Sequence, residues 1–449
     1  MKPFVQTGVA VLLAAGIGGY IYFVELKKPA DKDEKKKEKV FKLEKAKVKE
    51  LSLAPSGETI TVARDGQKWN LVTPVAVAAD ANEIDSLLTT LENLEIDEVV
   101  VDNATDLKQF GLDAPKNTVS VTEAGAPAKL LLGEKTPDGN GVYAKTPDKP
   151  RVFTIASHQE SIFTKKPFDL RDRDLLKVKR DAVKGLEITG KDESYVLERN
   201  DKGEWGFTKP LKTQAGRWSV DGLLGTFESL KMESVVAEDG SKDLKKFGLD
   251  KPQRTVKITL ADGGYKIFEI GGSPSEKKYL AREASSPIVA IIPGAVVDDL
   301  AKGMKELRAK RIADISTFDV EGFDLESEGK TQVFARSASK DKAGVEQPVW
   351  KKTAPDKKDL DKAKVEDALF KLSGLEVQDF IDKPQAPAGY GLDTPLVKLS
   401  IRLSGGKPPA ILEIGKKDGA YYSRRPSDDA ILKLDAAKVE EALKAVKEL

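Results

Sequence analysis

Three tryptophans at a fixed register constrain this chain more than any other feature. Trp69 in KWNLVTP, Trp205 in EWGFTKP and Trp350 in VWKKTAP each sit in a short strand that leads towards a proline. Fifteen residues after each tryptophan an apolar stripe begins. The first is Ile84, Leu87, Leu88, Leu91 and Leu94, and the second Val220, Leu223, Leu224, Phe227 and Leu230. The third is Val365, Ala368, Leu369, Leu372 and Leu375. All three follow i, i+3, i+4, i+7, i+10, a single face of an amphipathic helix. Self-similarity of this kind predicts tandem copies of one structural unit.

A second marker follows 25 to 27 residues after each stripe begins. It reads Phe110-Gly111-Leu112-Asp113-Ala114-Pro115, Phe247-Gly248-Leu249-Asp250-Lys251-Pro252 and Tyr390-Gly391-Leu392-Asp393-Thr394-Pro395. Glycine at this place closes a short helical turn in the left-handed conformation. Leucine then turns inward, and Pro115, Pro252 or Pro395 prevents the helix from resuming. These residues, with Asp113, Asp250 and Asp393 and the three tryptophans, read as turn and core rather than as a ligand loop.

Beyond the turn each copy shows short apolar-rich segments separated by turn residues, the pattern of an antiparallel meander. In copy one these are 118–122, 129–132, 142–145 and 152–155. Copies two and three repeat them at 256–260, 266–270, 279–282 and 288–292, and at 397–403, 411–414, 421–424 and 431–434. Closing helices are expected at 158–165, 295–305 and 436–449. Each unit is then a two-stranded start, a helix, a meander and a helix. The predicted fold class is α+β, with an N-terminal transmembrane helix followed by three antiparallel sheets that each pack helices on one face.

A chain of 449 residues suits about three domains. The expected boundaries are 1–26 for a transmembrane anchor, 27–47 for a charged tether, and 48–180, 181–313 and 314–449 for the three repeats. The apolar run from residue 3 to 24 is long enough, at about 1.5 Å per residue, to span a hydrocarbon core of about 30 Å. Lys2 alone precedes it, and seven lysines follow between residues 27 and 39. Acidic residues interleave with those lysines, and long domains translocate largely regardless of charge. The expected location is the bacterial inner membrane, single-pass, with the repeats in the periplasm. A cytoplasmic-facing orientation, suggested by the lysine-rich tether, is the alternative.

Composition removes several chemistries. The chain has no cysteine and one histidine, His158, which excludes disulfides, thiol catalysis and zinc sites of the usual Cys/His type. Lys+Arg 74 against Asp+Glu 73 leaves no overall field that favours nucleic acid. Phosphate-binding, nucleophile-elbow and zinc-protease motifs are missing, as is the spacing of a calcium loop. No catalytic residue, metal or cofactor is therefore expected, and the chain is read as a protein other than an enzyme.

One segment stands apart from the core pattern. The first two copies are followed by related junctions, residues 170–174 (LRDRD) and 307–311 (LRAKR). Arg308, Lys310 and Arg311 form a candidate partner surface or anion patch, with Lys302 and Lys305 nearby. Trp218 has no counterpart in the other copies and is the tryptophan expected to be exposed.

The tryptophan–proline strand, the Phe/Tyr-Gly-Leu-Asp-x-Pro turn and the N-terminal apolar run together resemble a bacterial domain-of-unknown-function family, number 4340. The resemblance covers essentially the whole chain after the tether. It implies an envelope protein that works with ABC-2-type or gliding-motility-associated ABC transporter components, and it implies no reaction. The expected function is a membrane-anchored, non-enzymatic scaffold or accessory subunit that binds other envelope proteins. The alternative is a carbohydrate- or lipid-binding module that hands an envelope polymer to an exporter.

Overall fold

Period-two burial governs most of the structure, a computed structural model that describes residues 37–125, 127–313, 315–340 and 346–449. Repeat 1 contains β1 (Glu50–Pro55), β2 (Ile60–Asp65), β3 (Lys68–Thr73), β4 (Val77–Ala78), β5 (Glu98–Val101), β6 (Asn117–Thr122), β7 (Ala128–Lys135), β8 (Gly141–Lys145) and β9 (Val152–Ala156). They form one sheet in the order β4-β3-β2-β1-β6-β7-β8-β9-β5. Every pairing in it is antiparallel. The second and third sheets also have nine strands and keep the same order. In β6, Asn117, Val119 and Val121 point into the core while the residues between them are half-buried, the alternation a one-sided sheet demands.

Each sheet carries one central helix, Ala81–Glu92, Arg217–Glu228 or Lys362–Ser373. All fifteen residues of the three apolar stripes are buried. Trp69, Trp205 and Trp350 are 6%, 6% and 2% exposed. At about 1.5–3 kcal/mol for each large apolar side chain, the stripe is what holds the helix to the sheet. The helix starts differ. Asp80 accepts hydrogen bonds from the backbone of Asn82 and Glu83, and Asp361 from that of Ala363, whereas the second helix starts at Gly216 with no side-chain cap.

The Gly-Leu-Asp turns are built alike. Gly111, Gly248 and Gly391 all have φ of +67°, and Leu112, Leu249 and Leu392 are buried. A second glycine completes the device: a Cβ on Gly133, Gly271 or Gly415 would collide with the carbonyl of Phe110, Phe247 or Tyr390. The turn thus lies directly on the backbone of β7 and its counterparts, a closeness only glycine permits.

Two expectations need correction. The chain is mostly β rather than α+β, because each repeat has nine strands where the sequence pattern suggested six. The extra strands include β4, with two residues, and β5, with the sequence EVVV. Both are edge strands: β4 is too short to show a pattern, and β5 is made by pairing with the distant β9, which leaves little local signal. The closing helix of repeat 1 shrinks to Glu160–Phe163. The transmembrane helix and the single-pass inner-membrane location are likewise unsupported. Among the described residues no helix is long and apolar enough to cross a membrane. The longest described helices have 12 residues, about 18 Å at about 1.5 Å per residue. Residues 1–26, on which the anchor rested, lie outside the described residues.

From Lys39, which bridges to Glu95, the chain is already paired with repeat 1, and Phe41 lies in its core. The chain divides into two compact units, Met1–Arg173 with repeat 1 and Asp174–Leu449 with repeats 2 and 3.

Candidate functional site

Within the second unit, repeats 2 and 3 interlock through two short segments. The first is the junction itself. Arg308 bridges back to Ala215 of repeat 2, and three residues later Arg311 bridges forward to Glu376 of repeat 3. The backbone N–H of Ala309 donates to the Gln214 carbonyl at 3.0 Å, and that of Val377 to the Lys310 carbonyl at 2.6 Å. The second segment is a loop of repeat 3 that reaches over the edge of the second sheet. Arg425 donates to Gln214 Oε1 at 3.2 Å and to the Ala309 carbonyl at 3.0 Å. Asp428 accepts from the Gln214 N–H at 2.8 Å and from Thr213 Oγ1 at 3.0 Å. Asp429 accepts from the Lys212 N–H at 2.9 Å.

Arg425 is only 5% exposed, and its partner Asp428, 3.0 Å away, has no exposed side-chain surface. Burial pulls the Arg425 guanidinium below its ordinary pKa, and the Asp428 carboxylate opposes that pull. Two buried charges are tolerable here because each is paired and hydrogen-bonded.

These segments frame a groove of about 760 Å³, a size typical of ligand sites. Trp205, Gln214 and Gly216 contribute to it from the sheet edge and helix start. The junction adds Arg308, Lys310 and Arg311, and the helix adds Arg217 and Trp218. Arg180, Asp181, Arg199 and Lys202 complete the lining. Trp218 is 80% exposed, with the Arg217 guanidinium 5.4 Å from its ring centre. Seven basic and four acidic residues line the groove, so its net charge is positive.

One arginine of the lining is placed differently from its counterparts in the other repeats. In repeat 1, Arg64 pairs across the strands with Trp69, lies 4.9 Å from its ring, and donates to the Ala46 carbonyl at 2.8 Å. In repeat 3, Arg336 pairs with Trp350 and donates to the equivalent carbonyl, that of Phe318, at 2.9 Å. Arg199 holds the same position opposite Trp205 but makes neither contact. Its Nε donates instead to the Gly203 carbonyl at 3.2 Å. Repeats 1 and 2 differ in the hairpin next to the arginine, whereas in repeat 3 the strands Lys330–Lys340 and Glu346–Ala354 run on past Arg336 before the chain turns. Gly66 and Gln67 alone separate β2 from β3, whereas residues 200–204 separate the corresponding strands of repeat 2. Asn200 organises that longer loop, accepting from the backbone of Lys202 and Glu204, and Gly203 at φ +81° turns a carbonyl towards the arginine.

The structure brings Trp218, Lys310 and Arg311 to this one groove. Arg308 also lines it, but at 2% exposure it is committed to Asp382 at 2.6 Å and to the Phe380 ring at 4.6 Å. Lys302 and Lys305 lie outside, paired with Asp299 at 2.6 Å and Asp379 at 2.8 Å. His158 is exposed in a short helical turn. Sequence reasoning missed Arg199 and Arg425. An arginine in the strand before each tryptophan was a signal within reach.

No curated protein matches the chain. A family model described as a domain of unknown function, DUF4340, matches residues 69–216 and 205–395, two overlapping stretches that run from the first tryptophan to the third turn. With well over half of its length matched, the chain belongs to the DUF4340 family.

Proposed function

We propose that this chain is a non-enzymatic scaffold that binds another protein, with ABC-type transporter subunits as the partner class. The groove between repeats 2 and 3 is the observation that supports it. An exposed tryptophan beside arginines is the residue combination enriched at protein interfaces and their hot spots. Its walls are sheet edge, helix start and interlocked junction, which hold the contact residues in place better than a loop would. The side chains that line it offer charge and surface rather than a nucleophile with a neighbouring base.

Co-expression of the full chain with transporter subunits from the same organism, followed by size-exclusion chromatography in mild detergent, tests this reading. A co-eluting complex is expected, and Trp218→Ala should weaken it by about tenfold, the loss of one hot-spot side chain. Elution of the chain by itself in the presence of every subunit would sink the scaffold.

A further inference from the structure

Resting on that reading, we propose that the groove takes an acidic peptide segment of the partner, with Arg199, Lys310 and Arg311 as the groups that bind its carboxylates and Trp218 as its apolar wall. Charge is the first reason. Among the described residues Arg199, Lys202, Lys310 and Arg311 form no salt bridge, although the charges of Lys310 and Arg311 act on the Glu376 carboxylate. The groove's own acids are largely engaged: Glu204 accepts from Asn200 at 3.0 Å, and Glu376 from Lys438 at 2.8 Å. The unmatched cations come from two chain segments, the hairpin 199–204 and the junction 308–311, so one small anion matches the set poorly and a chain of carboxylates matches it well.

Arg199 supplies the second reason. Its counterparts spend their guanidinium donors on a backbone carbonyl, while Arg199 uses only Nε, leaving the fork of terminal N–H groups for a bidentate carboxylate. The uncapped first turn of the Arg217–Glu228 helix strengthens the positive potential.

A peptide fits better than a sugar chain. Saccharide binding relies on several open aromatic faces, and the groove offers Trp218 alone because Trp205 is buried.

The test uses the full chain and a short oligoglutamate peptide, with oligolysine, oligogalacturonate and inorganic phosphate as comparison ligands. Calorimetry should show oligoglutamate binding that weakens by about tenfold on moving from low to high salt, with a shift in Trp218 fluorescence. Lys310→Glu with Arg311→Glu should lower the affinity by at least about tenfold while leaving the thermal unfolding midpoint in place, since both side chains are exposed. Replacing residues 200–204 with the Gly66-Gln67 turn should also abolish binding, by sending Arg199 to the Asp181 carbonyl. Unchanged affinity in the double variant, or no oligoglutamate binding at all, would overturn the proposal. Tighter binding of oligogalacturonate would overturn the peptide in favour of an anionic carbohydrate, and equal competition by phosphate would reduce the site to a simple anion hole. A transporter complex indifferent to the double variant would refute the groove and spare the scaffold; oligoglutamate binding without any complex would do the reverse.

Discussion

Repeat 1 and repeat 2 share a sheet order, a buried helix stripe and a left-handed glycine turn, yet the arginine opposite the tryptophan is spent on the Ala46 carbonyl in one and lines a groove in the other. The cores allow little variation, because close-packed side chains at near-zero exposure transmit any change of volume. A hairpin tip has no such constraint. Between repeats 1 and 2 a two-residue turn gives way to a five-residue loop, and the guanidinium donates to that loop instead of to the carbonyl before the first strand. Divergence between copies is therefore most informative at the strand ends that surround a shared core.

The sharpest way to break this contrast is to remove the clasp that the repeat 3 loop places on groove-lining residues of repeat 2 and the junction. Arg425→Ala strips the partner from buried Asp428 and two hydrogen bonds from groove-lining Gln214 and Ala309. We expect about 3–5 kcal/mol of destabilisation, the usual cost of a stranded buried charge. Urea unfolding should split into separate transitions for repeats 2 and 3, and a single undisturbed transition would refute the clasp. The next test compares the two arginines. Arg64→Ala should cost repeat 1 about 1–2 kcal/mol, from one hydrogen bond and one cation–π contact. Arg199→Ala should change stability by less than about 0.5 kcal/mol, as an exposed substitution does. Equal losses would mean that Arg199 is structural as well.

The smallest effect concerns pH. A hydrogen bond from Lys305, and secondarily from the Phe380 backbone, holds the Asp379 carboxyl below its ordinary range. A carboxyl depressed in the folded state contributes stability that is complete above about pH 4 and lost as pH falls through the folded value. Both partners are largely exposed, so solvent screening keeps this below about 0.5 kcal/mol. Asp379→Asn should flatten the acid limb of the stability curve by that much, and an identical limb would show that the pair contributes nothing.

Much of the fold was legible before any coordinates. Helical periodicity marked all fifteen stripe residues, and the demand for positive φ marked Gly111, Gly248 and Gly391. Gly133, Gly271 and Gly415 escaped notice because their constraint is a carbonyl from a distant turn, not anything local. Edge strand β5 escaped for a related reason, since its partner β9 lies far along the chain, while β4 escaped because it has only two residues. At the candidate site, Trp218 was named from sequence as a tryptophan without a counterpart, and Lys310 and Arg311 as part of the junction that follows the first two copies. Their convergence on one groove, and the place of Arg199 in its lining, depend on hairpin geometry and on a loop of repeat 3 that no spacing rule ties to them.

Arg308 pairs backwards and Arg311 pairs forwards, so three residues carry the chain from one sheet edge to the next. Fully stretched, three residues span about 10 Å, which leaves this connection no slack. Tension applied along the chain would pass straight from the second sheet to the third as shear on paired edges, with no loop to pay out first. The second unit would then behave under load as a stiff strut, and its groove would feel that load directly.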